Sequence, residues 1–225
     1  MAIALLASGV VYASWLLGGW VNPGLGPVVS YASELAASDQ PGSLAFRIGD
    51  LVAGAAACVA GLWALRRRPW LGWACVVAFG VFTMLDAGLF NMSCAPSLDP
   101  TCATAEVAGK VPLRHQIHTL SSSLAAAAPF VGLIAFAWAW RTVTAWVLSG
   151  LMVAATAATM LAVATDHLVG VAQRLQLLIV SAWLVWLALR TWRATSSDPT
   201  AARTATANLA PSEQPTAVDT NGARP

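Results

Sequence analysis

Long runs of apolar residues alternate with short polar stretches along the 225 residues of this chain. A charge-poor run of about 20 residues is long enough to cross the hydrocarbon core of a bilayer as a helix. Six such runs are present, and they are unbroken, without the alternation of apolar and polar positions that marks a barrel strand. We therefore predict six transmembrane helices, at roughly 2–20, 46–65, 70–91, 116–140, 143–165 and 172–192.

The composition indicates the same class of protein. Hydrophobic residues make up 58% of the chain and charged residues only 10%, whereas a soluble domain carries about 25% charged residues. The predicted fold class is all-α: a polytopic membrane protein whose six-transmembrane-helix bundle occupies residues 1–193. Residues 194–225 are rich in Ala, Thr, Ser and Pro, a composition typical of a disordered tail. No basic cluster is dense enough to indicate a nucleic-acid partner.

The distribution of basic residues predicts the orientation in the membrane. Cytoplasmic loops of membrane proteins are enriched in Lys and Arg. With both termini in the cytoplasm, eight of the twelve basic residues lie inside. The first helix lacks a basic n-region and a clear cleavage site, so we expect it to be retained. We also expect a belt of tryptophans at the cytoplasmic interface, formed by Trp63, Trp70, Trp73, Trp138, Trp140, Trp146 and Trp192.

Two long loops are expected on the outer side. In the first, residues 30–38 are predicted to form a short interfacial helix, with Glu34 turned away from Tyr31 and Leu35. The second contains Cys94 and Cys102, eight positions apart. Thiols on the outer side of the cytoplasmic membrane can be oxidised, so we predict a disulfide between them.

Polar residues that are unusual in a membrane segment collect near the outer ends of three helices. On a helix, His115, His118 and Ser122 share one face, within about 60° of one another. Asp86 is a costly charge inside the third span, and such a group faces a bundle interior or a cavity. Arg47 and Asp50 are close enough along the second helix to pair. The candidate ligand-binding residues are Asp86, Arg114, His115, His118, Ser122, Asp166, His167, Gln173 and Arg174.

Three functions are compatible with these residues. In the first, the protein binds a lipid or another amphiphile, and a phosphate or carboxylate head group is held by Arg114, Arg174, Gln173 and the histidines. In the second, histidines and a carboxylate hold zinc for hydrolysis of a lipid, although no H-E-x-x-H motif is present. In the third, the polar groups only fix helix packing. Transport is less favoured, because no charge lies in the inner half of any span.

The residues leave these alternatives open, and with them whether the protein is an enzyme. The leading expectation has membrane lipids as partners and no resident cofactor or metal; zinc belongs to the hydrolase alternative. Nothing in the sequence identifies a protein partner.

Several short motifs are spread over the helices and the two outer loops. They are Tyr31-Ala32-Ser33-Glu34-Leu35, Phe46-Arg47-Ile48-Gly49-Asp50, Asp86 before the Cys94/Cys102 loop, His115-x-x-His118-x-x-x-Ser122 and Gly170-x-x-Gln173-Arg174. With them the chain resembles, over roughly residues 1–192, an uncharacterised bacterial membrane family, domain of unknown function nine-nine-eight. The resemblance implies a multi-pass membrane protein without an established activity. We expect the protein in the bacterial cytoplasmic membrane.

A more distant resemblance is to the six-helix Frag1/DRAM/Sfk1 proteins, which also have a serine- and proline-bearing first outer loop. That resemblance implies a role in membrane-lipid homeostasis. The CREST membrane hydrolases also use histidines, an aspartate and a serine, but they have seven helices and a His-x-x-x-His pair on the last one. This chain lacks that pair, so their zinc chemistry is not transferred to it.

Overall fold

The computed structural model describes residues 1–196 of the chain. Six helices in this part are long and apolar enough to cross a membrane, which confirms the predicted all-α, multi-pass class. The last helix continues through Ser196, so residues 194–196 belong to it and not to the predicted tail. The rest of that tail, residues 197–225, lies outside the described residues.

The spanning helices begin and end within four residues of the predicted positions. The first span is built from α1 (Ala2–Tyr12), a 3-10 turn (Ala13–Leu17) and α2 (Gly18–Val21). Two short elements lie in the two long loops: a 3-10 helix (Ala32–Ala36) and α5 (Pro100–Val107). The other five spans are α3 (Ser43–Ala64), α4 (Trp70–Gly88), α6 (Leu113–Trp140), α7 (Val143–Thr165) and α8 (Val169–Ser196).

The spanning helices form a closed ring in chain order. Each packs against the next along the chain, and α8 returns to pack against α1. Small residues allow the closest approaches: a Cβ atom added to Gly54 of α3 would lie 2.7 Å from the carbonyl oxygen of Gly80 of α4. Similarly, a Cβ atom on Gly9 of α1 would lie 2.9 Å from the Ser181 carbonyl oxygen of α8. Small residues at helix contacts therefore close the ring, as is common in membrane bundles.

The two ends of the ring differ. One end, called here the short-turn end, carries the turns 65–69 and 141–142 together with residues 1 and 196. The other, called the loop end, carries residues 22–42, 89–112 and 166–168.

The half of the ring nearer the short-turn end is filled by apolar side chains, among them Phe79, Phe136 and Trp183. Trp73 belongs to this core and is only 2% exposed, so its assignment to the interfacial belt was wrong. Its indole packs edge-on against Phe136 at a centroid distance of 5.1 Å. Other members of the predicted belt are exposed: Trp63, Trp70, Trp138, Trp146 and Trp192.

Candidate functional site

A cavity of about 1030 Å³ occupies the half of the ring nearer the loop end. All six spans contribute to its walls, and it extends inward to Phe130 of α6 and Val180 of α8. Small-molecule sites in proteins are commonly about 300–1,000 Å³. The space is therefore large enough for a lipid-sized or drug-sized ligand.

The two long loops, residues 22–42 and 89–112, cover the cavity and are called here the lid. Glu34 joins them and is only 1% exposed. Its Oε1 accepts a hydrogen bond from the backbone N–H of Tyr31 at 2.9 Å, and its Oε2 accepts one from the N–H of Ser97 at 3.1 Å. The Ser97 hydroxyl also donates to Oε2, at 2.5 Å. The prediction that Glu34 turns away was wrong, because donors from both loops compensate the burial of its carboxylate.

Two of the predicted ligand-binding residues attach the lid to α8. Gln173 accepts a hydrogen bond at its Oε1 from the backbone N–H of Ala32, at 2.6 Å. Arg174 donates from Nη1 to the carbonyl oxygens of Pro27 at 3.0 Å and Ser30 at 2.6 Å. The Arg174 guanidinium is therefore engaged with the protein backbone, while Gln173 also lines the cavity.

The predicted disulfide is present between Cys94 and Cys102, and His115 lies beside it. The His115 Nδ1 atom is 2.9 Å from the hydroxyl of Ser93, and its Nε2 atom is 3.5 Å from a carboxylate oxygen of Glu106. One ligand atom each of Cys94, Cys102 and His115 lies within 4.8 Å of the others. Because both sulfurs are joined in the disulfide, they do not supply the thiolates that a metal ion requires. His115 packs the lid against α6 and does not line the cavity.

Asp86, His118 and Ser121 form a compact polar group, in which Asp86 and His118 line the cavity. His118 Nδ1 lies 3.0 Å from Asp86 Oδ1, and the Ser121 hydroxyl donates to the same oxygen. Ser122, the predicted member, lines the cavity and donates to the Thr119 carbonyl oxygen of its own helix at 3.3 Å. The sequence correctly placed a serine on the same helix face as the histidines. It could not show that Ser121, and not the adjacent Ser122, contacts Asp86.

Asp50 is a cavity residue that was absent from the predicted site. The expected pair with Arg47 is not formed: Arg47 donates from Nε to the carbonyl oxygen of Ala87 at 2.8 Å, at the end of α4. Among residues 1–196, no hydrogen bond or ion pair involves the Asp50 carboxylate, which lies within electrostatic range of Asp86 and His118. The sequence did contain a signal for this residue, since a carboxylate about two turns inside a span is unusual. The predicted pair with Arg47 explained that carboxylate, so Asp50 was left out of the predicted site.

The walls of the cavity are acidic. They include five carboxylates and His118, and none of the described residues that line the cavity is Arg or Lys. The acidic field extends to the lid, where burial and then the charges of Glu106, Asp166 and Glu34 raise the pKa of Tyr31. Asp166 lies at the mouth, whereas Arg114 and His167 are exposed and do not line the cavity. The predicted basic groups are therefore not assembled around a head group.

The inner walls of the cavity and its side along α7 are not acidic like the part near the lid. Gln176 of α8 donates to the Thr156 hydroxyl of α7 at 3.1 Å, and farther inward the wall is formed by Phe130, Leu177 and Val180. Met160 and Val163 of α7 line the cavity although they are 63% and 51% exposed. The cavity therefore opens beside α7, towards the space that membrane lipid occupies.

The Asp86 group differs from a serine nucleophile with its general base. A serine nucleophile is activated when its hydroxyl contacts a general base that accepts its proton, such as a histidine. Here the Ser121 hydroxyl donates to Asp86, and Asp86 stands between that serine and His118. The arrangement is suited to holding a ligand by charge and hydrogen bonding.

Comparison with known proteins yields one family. The family model described as "Protein of unknown function (DUF998)" matches residues 5–190, a range that includes nearly all of the six spanning helices. No curated protein and no solved structure matches the chain.

Proposed function

We propose that this chain, which belongs to the DUF998 family of proteins of unknown function, binds an amphiphile from the membrane in the cavity beneath its lid. The observation that supports the proposal best is the cavity itself, about 1030 Å³ in volume, polar near the lid and apolar farther inward. A ligand with a polar head and an apolar chain matches both parts of this lining.

The opening beside α7 provides a route for such a ligand. Met160 and Val163 border it, and the lining residues of α6 include small side chains, such as Ser122, Ser123 and Ala126. An apolar chain can therefore pass between the two helices without crossing the lid. The proposal involves no resident cofactor and no covalent step.

The proposal places the loop end on the outer side of a bacterial cytoplasmic membrane, with both termini in the cytoplasm. Two observations support this orientation. The basic residues are concentrated at the short-turn end and beyond residue 196, as is usual for cytoplasmic segments. The disulfide between Cys94 and Cys102 lies in the lid, and disulfides persist on the oxidising side of that membrane.

Native mass spectrometry of the full chain, purified in a mild detergent, tests the proposal. We expect the wild-type protein to retain a lipid-sized adduct. Ala126 lines the cavity, whereas Ala158 of α7 is exposed and does not. The larger side chain in Ala126→Trp should fill the space and remove the adduct, and the matched control Ala158→Trp should keep it. A wild-type protein that retains no amphiphile, or equal retention by both variants, would contradict the proposal.

A further inference from the structure

We infer that the amphiphile carries a protonated amine as its head group, held by Asp50 on the cavity wall. The inference rests on the proposed function and specifies the chemical class of its ligand. Its basis is that one cavity, among the described residues, combines a carboxylate without a partner, a buried hydroxyl group without a hydrogen-bond partner, and aromatic side chains in its walls.

The charges of the cavity favour a cation. Asp86 is already accompanied by His118, at 3.0 Å, and the buried Glu34 is met by backbone and hydroxyl donors of the lid. Asp50 has no such partner among residues 1–196, although it lies within a membrane span. A charged carboxylate in that position is costly unless a cation or hydrogen-bond donors accompany it. A bound ammonium group would supply both.

A second observation concerns a polar side chain of α4. Thr83 lines the cavity and is only 5% exposed, yet its hydroxyl has no hydrogen-bond partner in the described part of the chain. Buried hydroxyl groups in proteins are usually hydrogen-bonded. An ammonium group beside Asp50 has N–H donors to spare, and the Thr83 oxygen can accept one of them.

The aromatic side chains of the first span point to the same chemistry. Tyr12 and Trp15 both line the cavity. Cations bind favourably over the faces of tyrosine and tryptophan rings. A carboxylate with aromatic neighbours is thus a suitable environment for an organic cation.

Two other ligand classes fit less well. A phosphate or carboxylate head group would meet carboxylates without any Arg or Lys on the described walls. A bare metal ion needs several ligand atoms close together. Within residues 1–196, the only such cluster of three or more His, Cys, Asp and Glu groups contains the two disulfide sulfurs and His115, outside this cavity. The apolar inner wall in turn favours a cation that carries a chain.

Isothermal titration of the purified full chain tests the inference with three ligands of equal chain length: dodecylamine, dodecanol and dodecyl phosphate. We expect dodecylamine to bind at least about tenfold more tightly than dodecanol, since a hydrogen bond to a charged group contributes enough free energy for that factor. Dodecyl phosphate should bind more weakly than dodecanol. Equal affinities for the amine and the alcohol would overturn the inference but leave amphiphile binding intact; binding of none of the three would contradict the proposed function itself.

A charge-neutral variant assigns the effect to one residue. Asp50→Asn should reduce amine binding by at least about tenfold and should reduce dodecanol binding by a smaller factor, because the alcohol makes no ion pair with the carboxylate. The matched control is Asp39→Asn, because Asp39 lies in the lid outside the cavity and accepts a hydrogen bond from Ala95. If both variants bound the amine as the wild type does, Asp50 would not be the anchor. If Asp50→Asn failed to fold, the three-ligand comparison on the wild type would still decide the inference.

A fourth ligand distinguishes two sources of the amine. Lysophosphatidylethanolamine carries an ammonium group beside a phosphate, whereas dodecylamine carries the ammonium alone. Tight binding of both would identify the amine of a phospholipid head group, and tight binding of dodecylamine alone would identify a simple cationic amphiphile.

Discussion

At the scale of single residues, the Asp86 group shows how a charge is kept inside a membrane span. One oxygen of Asp86 meets both His118 Nδ1 and the hydroxyl of Ser121, so the carboxylate is compensated from the neighbouring helix α6. Ser122 is next in sequence but hydrogen-bonds only within its own helix. The two adjacent serines therefore have different roles, one in joining helices and one in lining the cavity.

We predict that Ser121→Ala lowers the free energy of unfolding by about 1–2 kcal/mol, since it removes a buried hydrogen bond between helices. Ser122→Ala serves as the control and should change stability by less than about 0.5 kcal/mol, because that hydroxyl bonds only to its own helix. Reversible unfolding in mixed detergent micelles, followed by circular dichroism, measures both. Equal losses in the two variants would show that the Asp86 contact does not stabilise the bundle.

At the scale of elements, the lid is held to α8 by the close approach of backbones. A Cβ atom added to Gly170 would lie 2.5 Å from the carbonyl oxygens of both Pro27 and Ser30. The Gly170 N–H also donates to the Val28 carbonyl oxygen at 3.0 Å. Glycine is therefore required at this position to let the first loop dock on the start of the helix.

We predict that Gly170→Ala displaces the first loop from α8 and exposes the backbone amides of residues 27–36 to solvent. Hydrogen–deuterium exchange followed by mass spectrometry should show faster exchange there. Gly150→Ala is the control: a Cβ atom at Gly150 of α7 would meet nothing within 4 Å, and alanine is the better helix former. Unchanged exchange in Gly170→Ala would mean that the loop yields without leaving the helix.

At the scale of the whole molecule, the two halves of the ring have different tasks. The half near the short-turn end is packed with aromatic and aliphatic side chains, and there the Arg190 guanidinium lies 4.1 Å from the centroid of a Trp140 ring. The half near the loop end holds the cavity and the lid. The tightly packed half of the ring thus supports the half that contains the cavity. The orientation of the ring in the membrane determines which side the lid faces.

We predict that a membrane-impermeant maleimide does not label Cys94 and Cys102 in intact cells until a reductant is added, and that it labels both afterwards. The disulfide in the lid explains the first result, and the second follows from the proposed outward orientation of the lid. Cys58 and Cys75 are buried within spans and provide the unlabelled background. Labelling without reductant would contradict the disulfide, and labelling only in lysed, reduced cells would invert the orientation.

Much of the architecture could be read from the sequence, because the properties that determine it are local. A helix long enough to cross the bilayer needs an unbroken apolar run, and for α7 the predicted and observed bounds coincide at Val143–Thr165. The presence of Cys94 and Cys102 in one loop that was expected on the oxidising side likewise led to the disulfide, which the structure contains. The short sequence motifs were sufficient to identify the family, whose model matches residues 5–190.

The site required the tertiary structure, because its properties depend on how helices rotate and which loops meet. Glu34 is buried only because Ser97, 63 positions away, supplies donors. Within residues 1–196, Asp50 is unpaired, and Arg47 reaches the end of α4 instead. Hydropathy determined that six helices cross a membrane; only their packing into a ring, with small residues at the contacts, left an acidic cavity among them. Burial and pairing of a polar group are set by its neighbours in space, and the sequence alone does not contain those neighbours.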